Sequence, residues 1–138
     1  MDVRALASVG SIVLGVLLIL GGITTWTIVT STLSEQRITT PDDACLPDRE
    51  VRGPLTAHCQ ADIIQQHTLE STDGMTYAEL ERDDPRRDLA MNSSFLQASL
   101  FTSILAYGVA AMAAGMGVLF VLIGLGMRDV RARVPADA

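Results

Sequence analysis

The sequence predicts an all-α protein, a transmembrane helical hairpin of two spans whose small, mostly helical extracytoplasmic loop is closed by a disulfide. Residues 5–34 and 89–127 are mostly apolar and carry no ionisable side chain, and about 20 apolar residues suffice to cross a bilayer core. The only two cysteines lie between these stretches. We therefore expect four segments: an N-terminal tail and first span (1–34), the loop (35–84), a long helix containing the second span (85–127) and a cytoplasmic arginine-rich tail (128–138).

The first span is expected to remain in the protein rather than to be removed as a signal peptide. Its apolar run is longer than the apolar core of a signal peptide, and only a weakly positive start, Met1 to Arg4, precedes it. Residues 24–27 read Thr-Thr-Trp-Thr, where a cleaved signal would carry a small-x-small motif.

The loop is smaller than a segment that comfortably forms a stable core alone, so we expect it to rely on the membrane helices, a disulfide or a partner. Pro54 predicts the start of a helix that runs toward Gly74, a residue suited to a C-terminal cap. The segment Thr76–Glu79 fits the capping-box pattern and predicts the start of a second short helix that runs through Glu81. Asp84 and Pro85 predict the N-cap and the first position of the long second helix.

The chain is acidic, with a formal net charge of −6, and its acidic residues concentrate in the loop. Between Glu35 and Asp88, thirteen aspartates and glutamates stand against six arginines. Nucleic acid and anionic lipid both recruit clusters of Lys and Arg, so this composition argues against either as a partner of the loop. The partners that we expect are the lipid bilayer itself and other membrane protein subunits or further copies of the chain.

Arginines near the ends of the spans indicate the orientation. Arg4 precedes the first span, and Arg128, Arg131 and Arg133 follow the second, which favours cytoplasmic termini. Loop arginines close to the spans compete with this assignment, so the arginines alone do not decide it.

The cysteines decide the orientation. Cys45 and Cys59 both lie in the loop, and in an oxidising exterior a disulfide between them would close a short ring and stabilise the loop by about 3 kcal/mol. We therefore predict a multi-pass protein of the bacterial plasma membrane, with both termini cytoplasmic and the loop outside.

Aromatic and arginine side chains mark the predicted membrane depth. The intervals from Arg4 to Trp26 and from Tyr107 to Arg128 each correspond to about 32 Å of helix, close to one hydrocarbon core. Trp26 and Tyr107 are therefore expected as anchors at the outer interface, where amphipathic rings prefer to lie, and the two arginines as anchors at the inner interface.

Small residues follow one face of each span at alternating three- and four-residue steps, the spacing of a seam between left-handed supercoiled helices. In lipid, small residues let two backbones approach closely, although Gly, Ala and Ser are also common in membrane helices generally. The predicted helix-packing seam comprises Ser8, Ser11, Gly15 and Gly22 in the first span and Ala106, Ala110, Ala113, Gly117 and Gly124 in the second. Matched by depth, its pairs are Gly15 with Gly117, Gly22 with Ala110 or Ala111, and Ser8 with Gly124.

The loop contains residue types that bind metals, but not in the spacing of a metal site. Four residues match no CxxC-type pattern: Cys45, His58, Cys59 and His67. If one helix carries both histidines, nine residues place them about 180° apart on its surface. The acidic run that ends at Asp88 lacks the DxDxDG pattern of a calcium loop, and no GxSxG elbow or phosphate-binding glycine motif occurs. We therefore expect no catalytic residue, no metal and no cofactor.

Several segments of the chain resemble a group of small two-span membrane proteins from actinobacteria. The matching segments are Gly53–Ala57, Gln60–Ile64, Gly74–Leu80, Arg82–Pro85 and Ser94–Ser103. The resemblance covers most of the chain and implies the same two-span architecture. Members of the group often carry the name of aromatic ring-opening dioxygenases, an activity that requires Fe(II) held by two histidines and a carboxylate.

We do not expect that activity here. The two histidines, His58 and His67, are predicted on opposite faces of a helix, and the loop is too small to enclose an aromatic diol. The spans carry no ionisable group of the kind that proton relays and ion pathways use, so a transporter acting alone is not expected either. The sequence favours a non-catalytic accessory or scaffolding subunit of a plasma-membrane complex, with a self-assembling envelope protein that presents its acidic cap to an extracytoplasmic ligand as the alternative.

Overall fold

The computed structural model describes residues 3–133, with side chains up to Asp129. Within this range the chain forms three helices: α1 at Val3–Glu35, α2 at Pro54–Ser71 and α3 at Arg87–Arg133. The fold class predicted from the sequence is confirmed, because two long apolar helices flank a loop that carries a helix and a disulfide.

The two long helices are apolar on surfaces that face outward. α1 and the α3 segment Arg87–Asp129 are each long and apolar enough to cross a membrane, with mean hydropathies of 2.4 and 2.3 in their most apolar windows. Only 17% of each window is buried inside the protein. A core helix of a water-soluble protein would bury most of such a surface, so this exposure favours a surrounding membrane over water.

α2 begins at Pro54, as the sequence predicts. Proline suits the first helical position because that position needs no backbone N–H, and the Thr56 hydroxyl accepts the N–H of Gly53 at 3.2 Å. At the other end Gly74 adopts a positive φ of 80° and donates its N–H to the Leu69 carbonyl at 2.7 Å. This is the backbone conformation for which glycine is favoured after a helix.

The second short helix predicted at Thr76–Glu79 is not formed. The segment makes a single turn, in which the N–H groups of Glu79 and Leu80 donate to the Thr76 carbonyl at 3.0 and 3.2 Å. The Glu79 carboxylate accepts the N–H of Thr76 at 2.8 Å, as in a capping box. The turn does not propagate into a helix because Leu80 is buried and its carbonyl accepts a hydrogen bond from the Arg87 guanidinium instead.

α3 begins and ends later than the sequence predicts. Its first residue is Arg87 rather than Pro85, although Asp84 still caps the start by accepting the N–H of Arg86 at 2.8 Å. Its end lies beyond Met127, inside the predicted arginine-rich tail. The tail side chains from position 130 and the whole of residues 134–138 lie outside the described residues.

The chain divides into two compact units. The helix-pair unit consists of the chain up to Thr27 and the chain from Gly108 onward, and the loop unit is Ile28–Tyr107. These divisions fall beside Trp26 and Tyr107, the two aromatic residues that the sequence predicts at the outer membrane interface.

Candidate contact surfaces

In the helix-pair unit, α1 and α3 run antiparallel and their backbones touch. A Cβ atom added to Gly15 would lie 2.6 Å from the Gly117 carbonyl oxygen, and one added to Gly117 would lie 2.6 Å from the Gly15 carbonyl oxygen. A Cβ atom added to Gly22 would lie 2.6 Å from the carbonyl oxygen of Ala110. Because Cβ atoms essentially never approach so closely, a larger residue at any of these positions would force the helices apart.

Two serine hydroxyls connect the same helices. Ser8, which is buried, donates to the Gly124 carbonyl at 2.8 Å, and Ser11 donates to the Phe120 carbonyl at 2.7 Å. Hydrogen bonds between helices in apolar surroundings contribute about 1 kcal/mol each. The contact between the two helices is thus made by small residues and two polar side chains, and the side chains of Ile12, Ile19 and Val121 pack against glycines of the opposite helix.

The structure places the predicted seam residues as follows. Gly15 lies against Gly117, Gly22 against Ala110, and Ser8 against Gly124, which are the pairs derived from matched depth. Ala113 is half-buried in the same unit, whereas Ala106 is half-buried in the loop unit.

A shallow apolar cleft of ≈ 190 Å³ lies near the Trp26 end of the helix pair. Its lining consists of Gly22, Ile23, Trp26, Thr27, Ala110, Ala111 and Ala114. Ligand pockets usually combine apolar walls with a few polar groups that fix orientation. The Thr27 hydroxyl donates to the Ile23 carbonyl of its own helix at 2.9 Å, so it is not directed at a ligand.

The predicted anchors divide into two kinds. Trp26 is 41% exposed, and Arg4 and Arg128 are exposed, as side chains at a membrane interface should be. Tyr107 differs from the prediction, because only 1% of it is exposed. The burial places the Tyr107 ring inside the protein instead of among lipid headgroups.

Tyr107 occupies the core of the loop unit because its hydroxyl has protein partners there. The hydroxyl donates to the Arg52 carbonyl at 3.0 Å, which leaves its oxygen to accept from the Thr30 hydroxyl at 2.8 Å. A buried phenol needs such partners. The apolar side chains of this core are Leu33, Val51, Ala57, Ala61 and Leu100, with Val29, Ile38, Ile64 and Ile104 partly buried against them.

The predicted disulfide is present. Cys45 and Cys59 are bonded, with their Cα atoms 5.4 Å apart, and the bond ties the segment before α2 to α2 itself. The same segment is also held by backbone pairing, because Val51 donates its N–H to the Ile38 carbonyl at 2.9 Å. Val51 is fully buried. Covalent and apolar contacts therefore fix the same stretch of chain.

Thr40 organises this segment, a role that the sequence analysis does not assign. Its N–H donates to the Arg49 carbonyl at 2.9 Å, and its hydroxyl accepts the Arg49 N–H at 3.0 Å. Its carbonyl accepts the N–H of Asp48 at 3.1 Å. The side chain is 1% exposed, so one buried threonine satisfies several backbone groups of a segment without regular structure.

The two histidines pair with different carboxylates. His58 lies 3.0 Å from Asp62 one turn along α2, and His67 lies 2.7 Å from Asp43 in the preceding segment. The hydrogen bond from His67 lowers the pKa of Asp43 below its usual value. No three His, Cys, Asp or Glu side chains come together as a metal-binding group in the part of the chain that the structure describes.

A charged corner precedes α3. Arg86 binds Asp84 through two nitrogens, at 2.8 and 3.1 Å, and binds Asp73 at 2.7 Å. These hydrogen bonds lower the pKa of Asp84 to about 2 and raise the pKa of Arg86 above its usual value. Arg87 stacks over the Tyr77 ring at 4.1 Å. The corner fixes the start of α3 by charge-assisted hydrogen bonds and a cation–π contact.

Large apolar side chains are exposed on the part of α3 that belongs to the loop unit. Four are between 45% and 68% exposed: Phe95, Leu96, Phe101 and Leu105. Phe101 also meets the His58 ring edge-on, with the ring centroids 6.3 Å apart. Phe95 and Leu105 point away from the side of α3 that forms the core of the loop unit, whereas Leu96 and Phe101 flank that buried side.

Compared with models of protein families, with curated proteins and with solved structures, the chain matches none. The similarity to small actinobacterial membrane proteins therefore stays an expectation.

Proposed function

We propose that this chain is a non-catalytic integral membrane protein, an accessory or scaffolding subunit of a plasma-membrane complex that acts through helix–helix and loop contacts. In this proposal α1 and α3 span the bilayer, both termini are cytoplasmic, and the loop unit lies on the extracytoplasmic side. The Cys45–Cys59 bond supports an oxidising exterior for the loop.

The observation that carries the proposal is the exposed apolar surface of α3 within the loop unit. Phe95 is 66% exposed, and it belongs to the loop unit, which this proposal assigns to the extracytoplasmic side. On that side of the membrane, water rather than lipid surrounds the Phe95 side chain. Exposed apolar surface in water is typical of sites that bind another protein.

The packing of the spans supports a role in contact rather than in conduction. α1 and α3 touch through backbone at Gly15 and Gly117, and the residues between Ala5 and Thr27 include no ionisable side chain. A close contact of this kind holds the two spans together, whereas ion pathways use ionisable groups within the membrane.

Comigration tests the proposal. After extraction in a mild detergent at native expression, the protein should migrate with a larger complex that contains other membrane proteins. A protein that migrates alone, or only as a homo-oligomer, would contradict the accessory role. The proteins that copurify reproducibly would then identify the complex.

The non-catalytic part of the proposal has its own test. His58 and His67 pair with separate carboxylates, so they do not converge on one ion. Purified protein should bind Fe(II) no more tightly than the double variant His58→Ala, His67→Ala, and should take up no oxygen with catechol substrates. Stoichiometric iron that the double variant loses, together with oxygen uptake, would restore the ring-opening interpretation.

A further inference from the structure

One side of α3 in the loop unit carries a regularly spaced apolar stripe. Met91, Phe95, Ala98, Thr102 and Leu105 follow one another at steps of four, three, four and three residues, and this set is called the outer stripe here. The Thr102 hydroxyl donates to the Ala98 carbonyl of the same helix at 2.7 Å, so its polar atom is already satisfied. Phe95 and Leu105 are 66% and 68% exposed.

The outer stripe is separate from the face that α3 buries in the loop unit. The buried residues of this part of the helix are Ala90, Ser93, Leu100 and Tyr107. At about 100° per residue, their mean direction lies roughly opposite that of the outer stripe. The stripe is therefore an additional face with the spacing of a coiled-coil seam, which indicates a helical partner.

We propose that the outer stripe binds the outer stripe of a second copy of this chain, as a parallel two-stranded coiled coil outside the membrane. The inference rests on the proposed membrane-spanning function, because a bilayer gives both copies the same orientation and height. Phe95 then meets Phe95 of the other copy, and Leu105 meets Leu105, in an interface with two-fold symmetry.

The charge distribution agrees with self-pairing. The loop unit is acidic overall, yet the positions that flank the stripe between Met91 and Leu105 carry no charge, and they include Asn92, Ser94 and Ser99. Like charges at such flanking positions would oppose a symmetric parallel pair. A symmetric pair therefore brings no like charges together between Met91 and Leu105, and the first acid on the same side of α3 is Asp88, one heptad before Phe95.

The sequence spacing also favours a copy of α3 as the partner. In the helix-pair unit the same alternation of three and four residues continues on α3 with exposed apolar residues: Val109, Met112, Met116, Leu119 and Ile123. A second α3 reproduces this long pattern by symmetry.

Disulfide trapping in native membranes tests the proposal. Phe95→Cys should give a reducible dimer of twice the chain mass in oxidised membranes, whereas Leu96→Cys should give at least tenfold less. Leu96 is the matched control, because it is exposed and adjacent but lies about 100° around the helix. Equal trapping at both positions, trapping at neither, or crosslinks only to other proteins would overturn the proposal.

A charge variant supplies a second readout. Phe95→Glu places two carboxylates against each other in a symmetric pair, so the dimer fraction in detergent should fall at least tenfold, while Leu96→Glu leaves it unchanged. Both residues are exposed, so the Cys45–Cys59 bond should form in both variants and report a folded loop unit. An unchanged dimer fraction in Phe95→Glu would contradict pairing through the outer stripe. A monomer that still comigrates with a larger complex would retain the accessory function and reject only the self-pairing.

Discussion

The helix-pair unit and the loop unit use the same two long helices but stabilise them by opposite means. In the helix-pair unit, glycines bring the backbones into contact at Gly15 and Gly117. In the loop unit, large side chains such as Leu33, Leu100 and Tyr107 form a core with α2. In water, the hydrophobic effect drives apolar side chains into a core. Lipid is as apolar as these side chains, so helices in lipid are stabilised by close van der Waals packing instead.

The two units also differ in charge and in covalent bonds. Every ionisable side chain between Arg4 and Arg128 belongs to the loop unit, and so does the disulfide. A small unit in water needs such additional bonds because its core is small. The difference agrees with the lipid proposed around the helix-pair unit and the water proposed around the loop unit, and it predicts that the two units respond differently to the same perturbation.

Removal of the disulfide should have the largest effect, and only on the loop unit. A double variant, Cys45→Ala and Cys59→Ala, should lose about 3 kcal/mol of loop-unit stability, because the unfolded loop gains conformational freedom. Hydrogen exchange should accelerate in the α2 amides and remain slow near Gly15 and Gly117. Equal acceleration in both units would mean that they do not differ as described.

Replacement of a seam glycine by a larger residue should destabilise the helix-pair unit. Gly15→Leu forces a side chain against the Gly117 carbonyl and should cost about 1–3 kcal/mol, as overpacking does. Val13→Leu is the matched control, because Val13 is 52% exposed. Thermal unfolding in detergent should separate the two variants. If Gly15→Leu is as stable as Val13→Leu, the backbone contact does not stabilise the pair.

Loss of one hydroxyl should have a smaller effect on the loop unit. Tyr107→Phe removes the donor to the Arg52 carbonyl and should cost about 1 kcal/mol, because a partly buried carbonyl loses this partner. Tyr77→Phe is the control, since Tyr77 is 37% exposed. Chemical unfolding followed by hydrogen exchange of α2 measures both. Identical stabilities would show that the buried hydroxyl is dispensable.

Acid should weaken the loop unit and leave the helix-pair unit unchanged. Arg86 lowers the pKa of Asp84 to about 2, and His67 lowers the pKa of Asp43. A carboxylate whose pKa is lower in the folded state stabilises that state above its ordinary pKa, and this contribution is lost as the pH falls toward the folded value. Loop-unit stability should therefore decrease between about pH 4 and pH 2.

The matched variant for this pH dependence is Asp84→Asn, in which the stability of the loop unit should decrease less as the pH falls. The effect is the smallest of the four because these groups are close to solvent, where such pairs contribute little. A helix-pair unit that loses stability over the same pH range would contradict the assignment of the titrating groups to the loop unit.

The residue pairs between α1 and α3 could be predicted from the sequence because each residue of a membrane span has a predictable depth in the bilayer. Arginine and aromatic markers align the spans, and two helices of known depth can meet only at matched positions, such as Gly15 with Gly117. The disulfide could also be predicted, because a chain with two cysteines has one possible pair.

Fewer contacts of the loop unit could be predicted from the sequence, because they depend on how several segments pack together. The burial of Tyr107 requires the Arg52 carbonyl, which is fifty-five residues away, and the buried hydrogen bonds of Thr40 follow a path without periodicity. The turn at Thr76–Glu79 carries the local signal of a helix start, but contacts of Leu80 override it. Local patterns do not reveal such long-range partners.

The loop unit is proposed to lie outside the membrane that the helix pair crosses, and thiol labelling is the sharpest test of this topology. In intact cells, a membrane-impermeant reductant followed by a membrane-impermeant maleimide should label Cys45 and Cys59 as fully as in permeabilised cells, and no labelling should occur without the reductant. Labelling that requires permeabilisation would place the loop unit inside the cell. Labelling without any reductant would show that the two thiols are free and that the disulfide does not form.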